Sequence, residues 1–269
     1  MNPLEIFQKT PKTNCGKCGH PACLAFSAAV AKMGEDPSKC PFISEADLEL
    51  LEPSAEKIDD LAREKDLALV QHLKSKIAAL DFQKIAAQLG AVCPADAPDT
   101  LSFRYLGQDT LINKSCILIN QTVPSDPRDQ ILLYNYVHCG GGQKPAENWI
   151  GLESLPNTIS KIKTLEVYGE QPIAELFSGK EKKAVLTSCR NELDAKEVSG
   201  SSASIALLFP VLPLLPLQVL FWDAEPDDGF DAKVKVLFTE NVLDYLDLES
   251  LVFTAERLSD RLHDILTCV

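Results

Sequence analysis

Cys15, Cys18, Cys23 and Cys40 follow the spacing C-x2-C-x4-C-x16-C, and Pro41 comes directly after the last of them. Thiolates are soft ligands, so cysteines crowded in this way point to metal chemistry. A cubane iron–sulfur cluster presents its iron corners a few ångströms apart, and several ligands must then come from one tight loop. Gly16 and Gly19, beside the first two cysteines, let the backbone turn around the sulfides and offer N–H groups to them. The remaining ligand can arrive from further along, and a proline just after it is common in bacterial ferredoxin-type sites. Zinc is the competing metal. Structural zinc usually takes two separate pairs of ligands, whereas here three cysteines crowd together and one stands apart. The spacing therefore predicts one iron–sulfur cluster, [4Fe–4S], held by Cys15, Cys18, Cys23 and Cys40, with zinc as the alternative.

The other candidate residues are more dispersed. Cys93, Cys116, Cys139, Cys189 and Cys268 follow no ligand spacing, and each reads first as a buried small hydrophobe. A second metal site assembled from several of them on folding is the alternative. His138-Cys139-Gly140-Gly141-Gly142 reads as a helix end with a glycine turn; the functional alternative is a loop wrapped around a cofactor, with His138 or Cys139 as ligand. No phosphate-loop or dinucleotide fingerprint accompanies these glycines. His20 reads as an exposed loop residue between two cluster ligands, with tuning of the cluster potential or proton relay as the functional alternative, and Phe26 reads as a cover that keeps water from the cluster. Trp149 and Trp222 are expected in the core, with a ligand pocket formed by the two as the alternative. No nucleophile–base–acid grouping can be placed from spacing, so catalytic residues stay unassigned.

The elements that position the cysteines can be read on either side of them. Pro3 to Phe7 is a short apolar segment, and the small-residue run from Leu24 to Met33 predicts a helix ended by Gly34. Ser44 with Asp47 resembles a helix start. From Ser54 to Leu89 apolar residues recur at threes and fours, predicting helix throughout, with Asp81 capping a last piece that Gly90 ends. Beyond Asp99, Leu101 to Leu106 alternates as a strand, Gly107 to Asp109 as a turn, and Thr110 to Ile119 as one or two returning strands. Helices are expected over Arg128–His138, Ser160–Leu165, Ile173–Phe177, Val242–Leu246 and Thr254–Leu266, and a strand over Val234–Phe238.

Residues Ile205 to Trp222 read IALLFPVLPLLPLQVLFW, interrupted by Pro210, Pro213 and Pro216. Prolines at that density block a spanning helix. Two buried strands around a proline-bounded turn are expected instead, with Phe209, Leu212, Val219, Leu220 and Phe221 in the core. The fold class is α+β: a small helical iron–sulfur domain over residues 1–45, a helical connector over 46–98 and a larger mixed α+β domain over 99–269.

Charge narrows the function classes. Net charge is −13, which argues against nucleic acid as a partner and against binding to anionic membranes. The opening forty residues run the other way, since Lys9, Lys12, Lys17, Lys32 and Lys39 outnumber Glu5, Glu35 and Asp36. A mildly basic rim around the cysteines, steering an acidic redox partner, is the functional reading of that excess. The nine cysteines cannot all pair. The chain also opens without the charged-then-apolar pattern of a secretory signal. A cytoplasmic protein with reduced thiols is expected.

Two family resemblances add to this. Thr13-Asn14-Cys15-Gly16-Lys17-Cys18-Gly19-His20-Pro21-Ala22-Cys23-Leu24-Ala25-Phe26-Ser27, with Cys40-Pro41, resembles the cluster domain of corrinoid iron–sulfur proteins. Related domains occur in corrinoid-protein activators and in a subunit of ion-translocating ferredoxin oxidoreductases. The resemblance implies that the four cysteines ligate a low-potential [4Fe–4S] cluster passing single electrons, in the corrinoid case to cobalt. It covers only the first forty-five residues or so, and the barrel and cobalamin domains of a corrinoid protein do not follow.

The remainder is similar to the domain of unknown function 3786. The matching pieces are Trp149 with Glu153-Ser154-Leu155-Pro156, Leu212-Pro213-Leu214-Leu215-Pro216, Phe221-Trp222, Val236-Leu237-Phe238, and Tyr245-Leu246 with Glu249. This likeness implies architecture and no mechanism.

The expected function is single-electron transfer to a redox partner, a corrinoid protein or another metalloenzyme of anaerobic metabolism. The alternative is a cofactor-handling or enzymatic protein whose larger domain binds a corrinoid or other small molecule that the cluster reduces. No residue outside the resemblance points to a corrinoid. A structural or regulatory cluster stands behind both.

Overall fold

The computed structural model describes residues 3–33, 35–44, 47–48, 55–225 and 229–267. The chain divides into two compact units, residues 1–65 and 66–269. Helices, a three-stranded sheet and a five-stranded sheet make the fold α+β.

The smaller unit is built on α1 (Pro3–Lys9) and α2 (Cys23–Met33), which pack on each other. Ile6 of α1 and Phe26 of α2 are fully buried, and with Cys40 and Ile43 they form its apolar cluster. A 3-10 turn, Pro37–Lys39, leads into Cys40; the Asp36 carboxylate caps it by accepting the Ser38 N–H at 2.8 Å. Ser44 caps as its sequence suggests, its hydroxyl accepting the Asp47 N–H at 3.2 Å and donating to the Asp47 carboxylate at 2.7 Å. Gly34 lies outside the described residues.

Helix α3 (Ala55–Ile77) ends before Asp81, the residue expected to cap a separate last piece. Asp81 takes an extended conformation, and its carboxylate pairs with Lys84 at 3.1 Å. Such local bonding by Asp competes with helix continuation. The chain resumes as α4 (Phe82–Ile85) and a 3-10 turn, Ala87–Leu89, closed by Gly90 at φ +63°. Val70, Leu73, Ile77, Phe82 and Leu89 are all buried in the core of the larger unit.

Strands β1 (Thr100–Tyr105), β2 (Gln108–Asn113) and β3 (Ile117–Ile119) make an antiparallel meander. The β1–β2 turn is Leu106-Gly107, one residue earlier than expected, because Tyr105 already pairs with Gln108. Both turn residues have positive φ, +47° and +74°, and this two-residue geometry matches the twist of a hairpin. A Cβ on Gly107 would lie 1.9 Å from the Glu192 carbonyl oxygen, so only glycine fits there. The Leu106 N–H donates to Val211 at 3.0 Å and ties the turn to the second sheet.

That sheet contains β4 (Trp149–Gly151), β5 (Lys196–Glu197), β6 (Ile205–Leu212), β7 (Leu215–Trp222) and β8 (Lys233–Thr239), in the order β4-β8-β7-β6-β5, all antiparallel. The proline-punctuated segment forms the expected strand pair. Pro210 faces Pro216 across the ladder beside a register shift, where the lost donors are tolerated. Phe209, Leu212, Val219 and Phe221 are buried as expected; Leu220 is only half-buried, because successive residues of a strand face opposite sides.

The helices are α5 (Pro127–Cys139), α6 (Ile159–Leu165), α7 (Gln171–Phe177), α8 (Lys182–Leu193) and α9 (Leu248–Thr267). A π turn, Glu166–Glu170, joins α6 to α7 where a break was expected. Gly169 in that turn lets α9 approach: an added Cβ would come 3.1 Å from the Ala255 methyl. The Glu170 carboxylate accepts the Val236 N–H of β8 at 3.0 Å, just where the short β4 runs out. Helix α9 starts earlier than expected, because Asp247 accepts the Ser250 N–H at 2.8 Å. Its residues Leu251, Val252, Ala255, Leu258 and Leu262 form one buried stripe. The helix expected over Val242–Leu246 is only a 3-10 turn, Val242–Asp244.

Candidate metal centre

The cysteine loop runs between α1 and α2 and is shaped by left-handed residues. Lys12, Asn14, Gly16 and Gly19 have φ of +59°, +51°, +73° and +85°. Asparagine and glycine adopt this region most readily. The Gly19 N–H donates to the Gly16 carbonyl at 3.0 Å, closing a turn around Lys17 and Cys18. The Asn14 side chain accepts the N–H of Cys23 at 2.9 Å, which fixes the start of α2 relative to the loop. Ser27, one helical turn on, donates its hydroxyl to the Cys23 carbonyl at 2.8 Å.

The four sulfurs sit in different surroundings. Cys15 is exposed and Cys18 half-buried, whereas Cys23 and Cys40 are buried. The Lys17 backbone N–H holds the Cys15 thiol below its ordinary pKa, helped by Thr13 and by the Lys17 charge. Cys18 and Cys40 belong to the apolar cluster of Phe26, and Cys23 opens α2. Among the described residues, no three Cys, His, Asp or Glu side chains stand together closely enough to hold a metal ion. The fold thus gathers the cysteines into one small unit but not into a closed cage. The donor set suits an iron–sulfur group: four thiols, one of them acidified by backbone N–H bonding, beside a fully buried phenylalanine.

His20 is not the exposed loop residue expected. Its Nε2 lies 2.7 Å from the Glu35 carboxylate, its side chain is only 22% exposed, and its ring meets Phe26 at 5.7 Å. Glu35 follows α2 and also takes the Lys39 amine at 2.8 Å; Lys39, then His20, hold its pKa low. The linear sequence hides this contact, because helix α2 separates the two residues.

The remaining cysteines are scattered through the larger unit. Cys189 of α8 is buried as expected, and burial pushes its thiol up to about 12. Cys93 and Cys116 are half-buried and Cys139 is exposed, so burial does not describe these three. Cys139 ends α5 on the helix's outer side, and Cys116 sits in the β2–β3 turn, 3.2 Å from the Asn113 amide. Cys268 lies outside the described residues. Gly140 ends α5 in the left-handed region, and a Cβ on Gly141 would lie 2.8 Å from the Tyr245 ring. These glycines thus have a structural use. Trp149 and Trp222 are half-buried, not core, because each occupies a strand end. They pair with Thr239 and Lys233 at opposite ends of β8, about 20 Å apart along a strand, and share no pocket.

The largest polar grouping escaped the sequence reading. Arg257 of α9 donates to both Asp129 carboxylate oxygens at 2.9 and 3.0 Å, to Asp126 at 3.1 Å and to Asp260 at 2.6 Å. Tyr105 donates its hydroxyl to Asp129 at 2.7 Å. Arg128 adds bonds to Asp126 at 2.7 Å and Glu256 at 3.0 Å. Burial opposes ionisation of Asp126, but the two arginines prevail and hold its pKa below the usual carboxylate range. The group locks β1, the start of α5 and α9 together, from residues more than a hundred positions apart.

Comparison with known proteins matches this division of the chain. Residues 11–42 match the family model described as "Putative Fe-S cluster", and the chain carries an iron–sulfur domain there. Residues 81–261 match the "Domain of unknown function (DUF3786)", and the chain belongs to that family. The corrinoid/iron-sulfur protein large subunit of Moorella thermoacetica is 44% identical over 55 residues, which is 20% of this chain and 12% of that protein. The acetyl-CoA decarbonylase/synthase complex subunit gamma 1 of Methanosarcina thermophila is 42% identical over 40 residues, 15% of this chain and 8% of that protein. A gamma subunit of the same complex from Archaeoglobus fulgidus is 36% identical over 47 residues, 17% of this chain and 10% of that protein. The chain therefore spans about a tenth of the length of these relatives. No solved structure matches it significantly. Among the described residues, no helix is long and apolar enough to cross a membrane.

Proposed function

We propose that Cys15, Cys18, Cys23 and Cys40 together hold one [4Fe–4S] cluster and that the protein transfers single electrons to or from a partner, a corrinoid protein or another metalloenzyme of anaerobic metabolism. The observation that carries this reading is the likeness of residues 11–42 to an iron–sulfur family, together with a relative whose name pairs corrinoid with iron–sulfur. When bound, such a cluster gains and loses one electron at a time. The chain's own part is to hold and shield it. Gly16 and Gly19 bend the backbone so that N–H groups can face sulfur, and Phe26 provides an apolar wall beside Cys18 and Cys40. Phe26 excludes water, and lower exposure is one of the levers that set a cluster's potential.

The test is anaerobic purification or reconstitution with ferrous iron and sulfide. About four irons per chain, and a rhombic signal after reduction, are expected of a cubane. Colourless protein carrying zinc would overturn the proposal. Electron transfer itself is tested by anaerobic mixing of the reduced protein with an isolated corrinoid protein in its Co(II) state, where formation of Co(I) is the expected result.

A further inference from the structure

We propose that the exposed face carrying Lys12, Lys17 and Phe42, beside the cysteine loop, docks an acidic electron-transfer protein; this inference rests on the one-electron reading above. Between Glu5 and Glu35 the chain has four lysines and no acidic residue, in a protein whose net charge is −13. Two lysines of this unit are neutralised locally, Lys9 by Asp47 at 2.7 Å and Lys39 by Glu35 at 2.8 Å. Lys12 and Lys17 are different. Their amines lie over the rings of Phe7 and Phe42, 5.7 and 5.0 Å from the centroids, and neither has a carboxylate partner among the described residues. A ring restrains a lysine without cancelling its charge.

Two apolar side chains next to the cysteines are exposed as well. Phe42 is 50% exposed and Leu24 49%. Phe42 stands two residues from Cys40, and Leu24 directly follows Cys23. Apolar contact inside a charged rim is the usual make-up of a docking patch, with the charges guiding encounter and orientation.

The sign of the partner follows from range. At an ionic strength near 0.1 M, charges are screened beyond about 10 Å. An approaching protein therefore responds to the nearest face and not to the whole chain's negative charge. An acidic surface meets attraction at Lys12 and Lys17, and a basic one meets it elsewhere. Docking there brings the acceptor against the loop of Cys15, the exposed one of the four proposed ligands. One electron then leaves the reduced protein and the acceptor gains it, with no proton required.

The experiment uses the full chain with its cluster, reduced with dithionite, freed of excess reductant and mixed anaerobically with two acceptors. One is oxidised plastocyanin with an acidic surface, whose Cu(II) becomes Cu(I). The other is basic ferricytochrome c, whose Fe(III) becomes Fe(II). Near 0.1 M salt, the double variant K12E/K17E should reduce plastocyanin about tenfold more slowly than the native protein, and cytochrome c no more slowly. The difference should fade near 1 M salt. A change in driving force alone would shift both acceptors in the same direction and survive salt. K12E alone and K17Q, read in the same assay, serve if the double variant does not load iron. Equal response of both acceptors, or of neither, in variants with full iron overturns the docking face and leaves the one-electron reading standing. Native protein that takes up no iron overturns that reading, and this inference with it.

Discussion

In the smaller unit, Ile6, Phe26, Cys40 and Ile43 form the buried apolar cluster among the described residues, and two of the proposed ligands belong to it or touch it. In the larger unit one cluster runs from Val70 to Leu262, and Cys189 is its single buried thiol among the described residues. The two regions differ in what can hold them together. A chain of about sixty residues buries too little to be more than marginally stable and commonly relies on a metal or disulfide. Metal binding to such a unit is also folding free energy. The larger unit has enough core to stand on packing, with a buried polar lock added.

The largest effect that could break this contrast lies at the cysteines. Replacing Cys40 or Cys23 by Ser should abolish iron and sulfide binding and remove the unfolding transition of the smaller unit. The transition of the larger unit should stay within about 0.5 kcal/mol of native. Calorimetry of native and variant protein, with iron analysis, reads both; a C40S protein with full iron and sulfide refutes the assignment of four cysteines.

A reciprocal perturbation comes next. Arg257→Met leaves the Asp129 carboxylate, which is only 8% exposed, with the Tyr105 hydroxyl but without its arginine. Breaking a buried pair in this way costs about 3–5 kcal/mol. Urea unfolding should show that loss in the larger unit alone, while iron per chain is unchanged. Loss of iron in this variant would mean that the two regions are energetically linked.

Smaller still is Tyr136→Phe. The Tyr136 hydroxyl donates to the Leu89 carbonyl at 2.8 Å and accepts the Leu214 N–H at 3.2 Å. Its removal leaves both unsatisfied, for a loss of about 1–3 kcal/mol by the same urea measurement. A stability equal to native would show that water replaces the hydroxyl there.

The smallest effect is a pH dependence. Burial raises the pKa of Glu170, partly offset by the Val236 N–H and Lys235. The folded state then holds this proton more tightly than the unfolded chain does. Stability from this group is therefore present below the unfolded value of about 4.3, and it is lost as pH rises through the folded value. E170Q keeps an acceptor for Val236 and removes the titration, so its stability should change less between pH 7 and pH 5. Asp126, with its depressed pKa, acts in the opposite sense and only below about pH 4, outside that comparison. An unchanged difference between pH 7 and pH 5 in E170Q would assign the slope to another group.

Local chemistry was legible in the sequence, and distant contacts were not. The thiol spacing and its glycines indicated iron–sulfur chemistry, and the likeness of residues 11–42 agrees. The α+β class followed from strand alternation and helix periodicity. Prolines at 210, 213 and 216 placed the β6–β7 pair because their missing donors restrict where they fit. Three kinds of feature were hidden. The His20–Glu35 pair forms only after α2 brings residues fifteen apart together. The Arg257 network needs β1, α5 and α9 in place. Trp149 and Trp222 look like core residues by type, and their half-buried positions depend on where each strand happens to end.

The Glu170 bond to Val236 has a consequence beyond stability. Strand β4 covers β8 only from Leu237 to Thr239, so the row of donors on that side would lie open from Val236 onward. An open row invites pairing with a strand of another molecule, the route to aggregation and domain swapping. Here the first donor past the covered stretch is already taken by a carboxylate, and Lys235 beside it is clamped to Glu153 at 2.9 Å. The side chain thus acts as a stopper on the sheet, keeping it from growing by addition of a neighbour's strand.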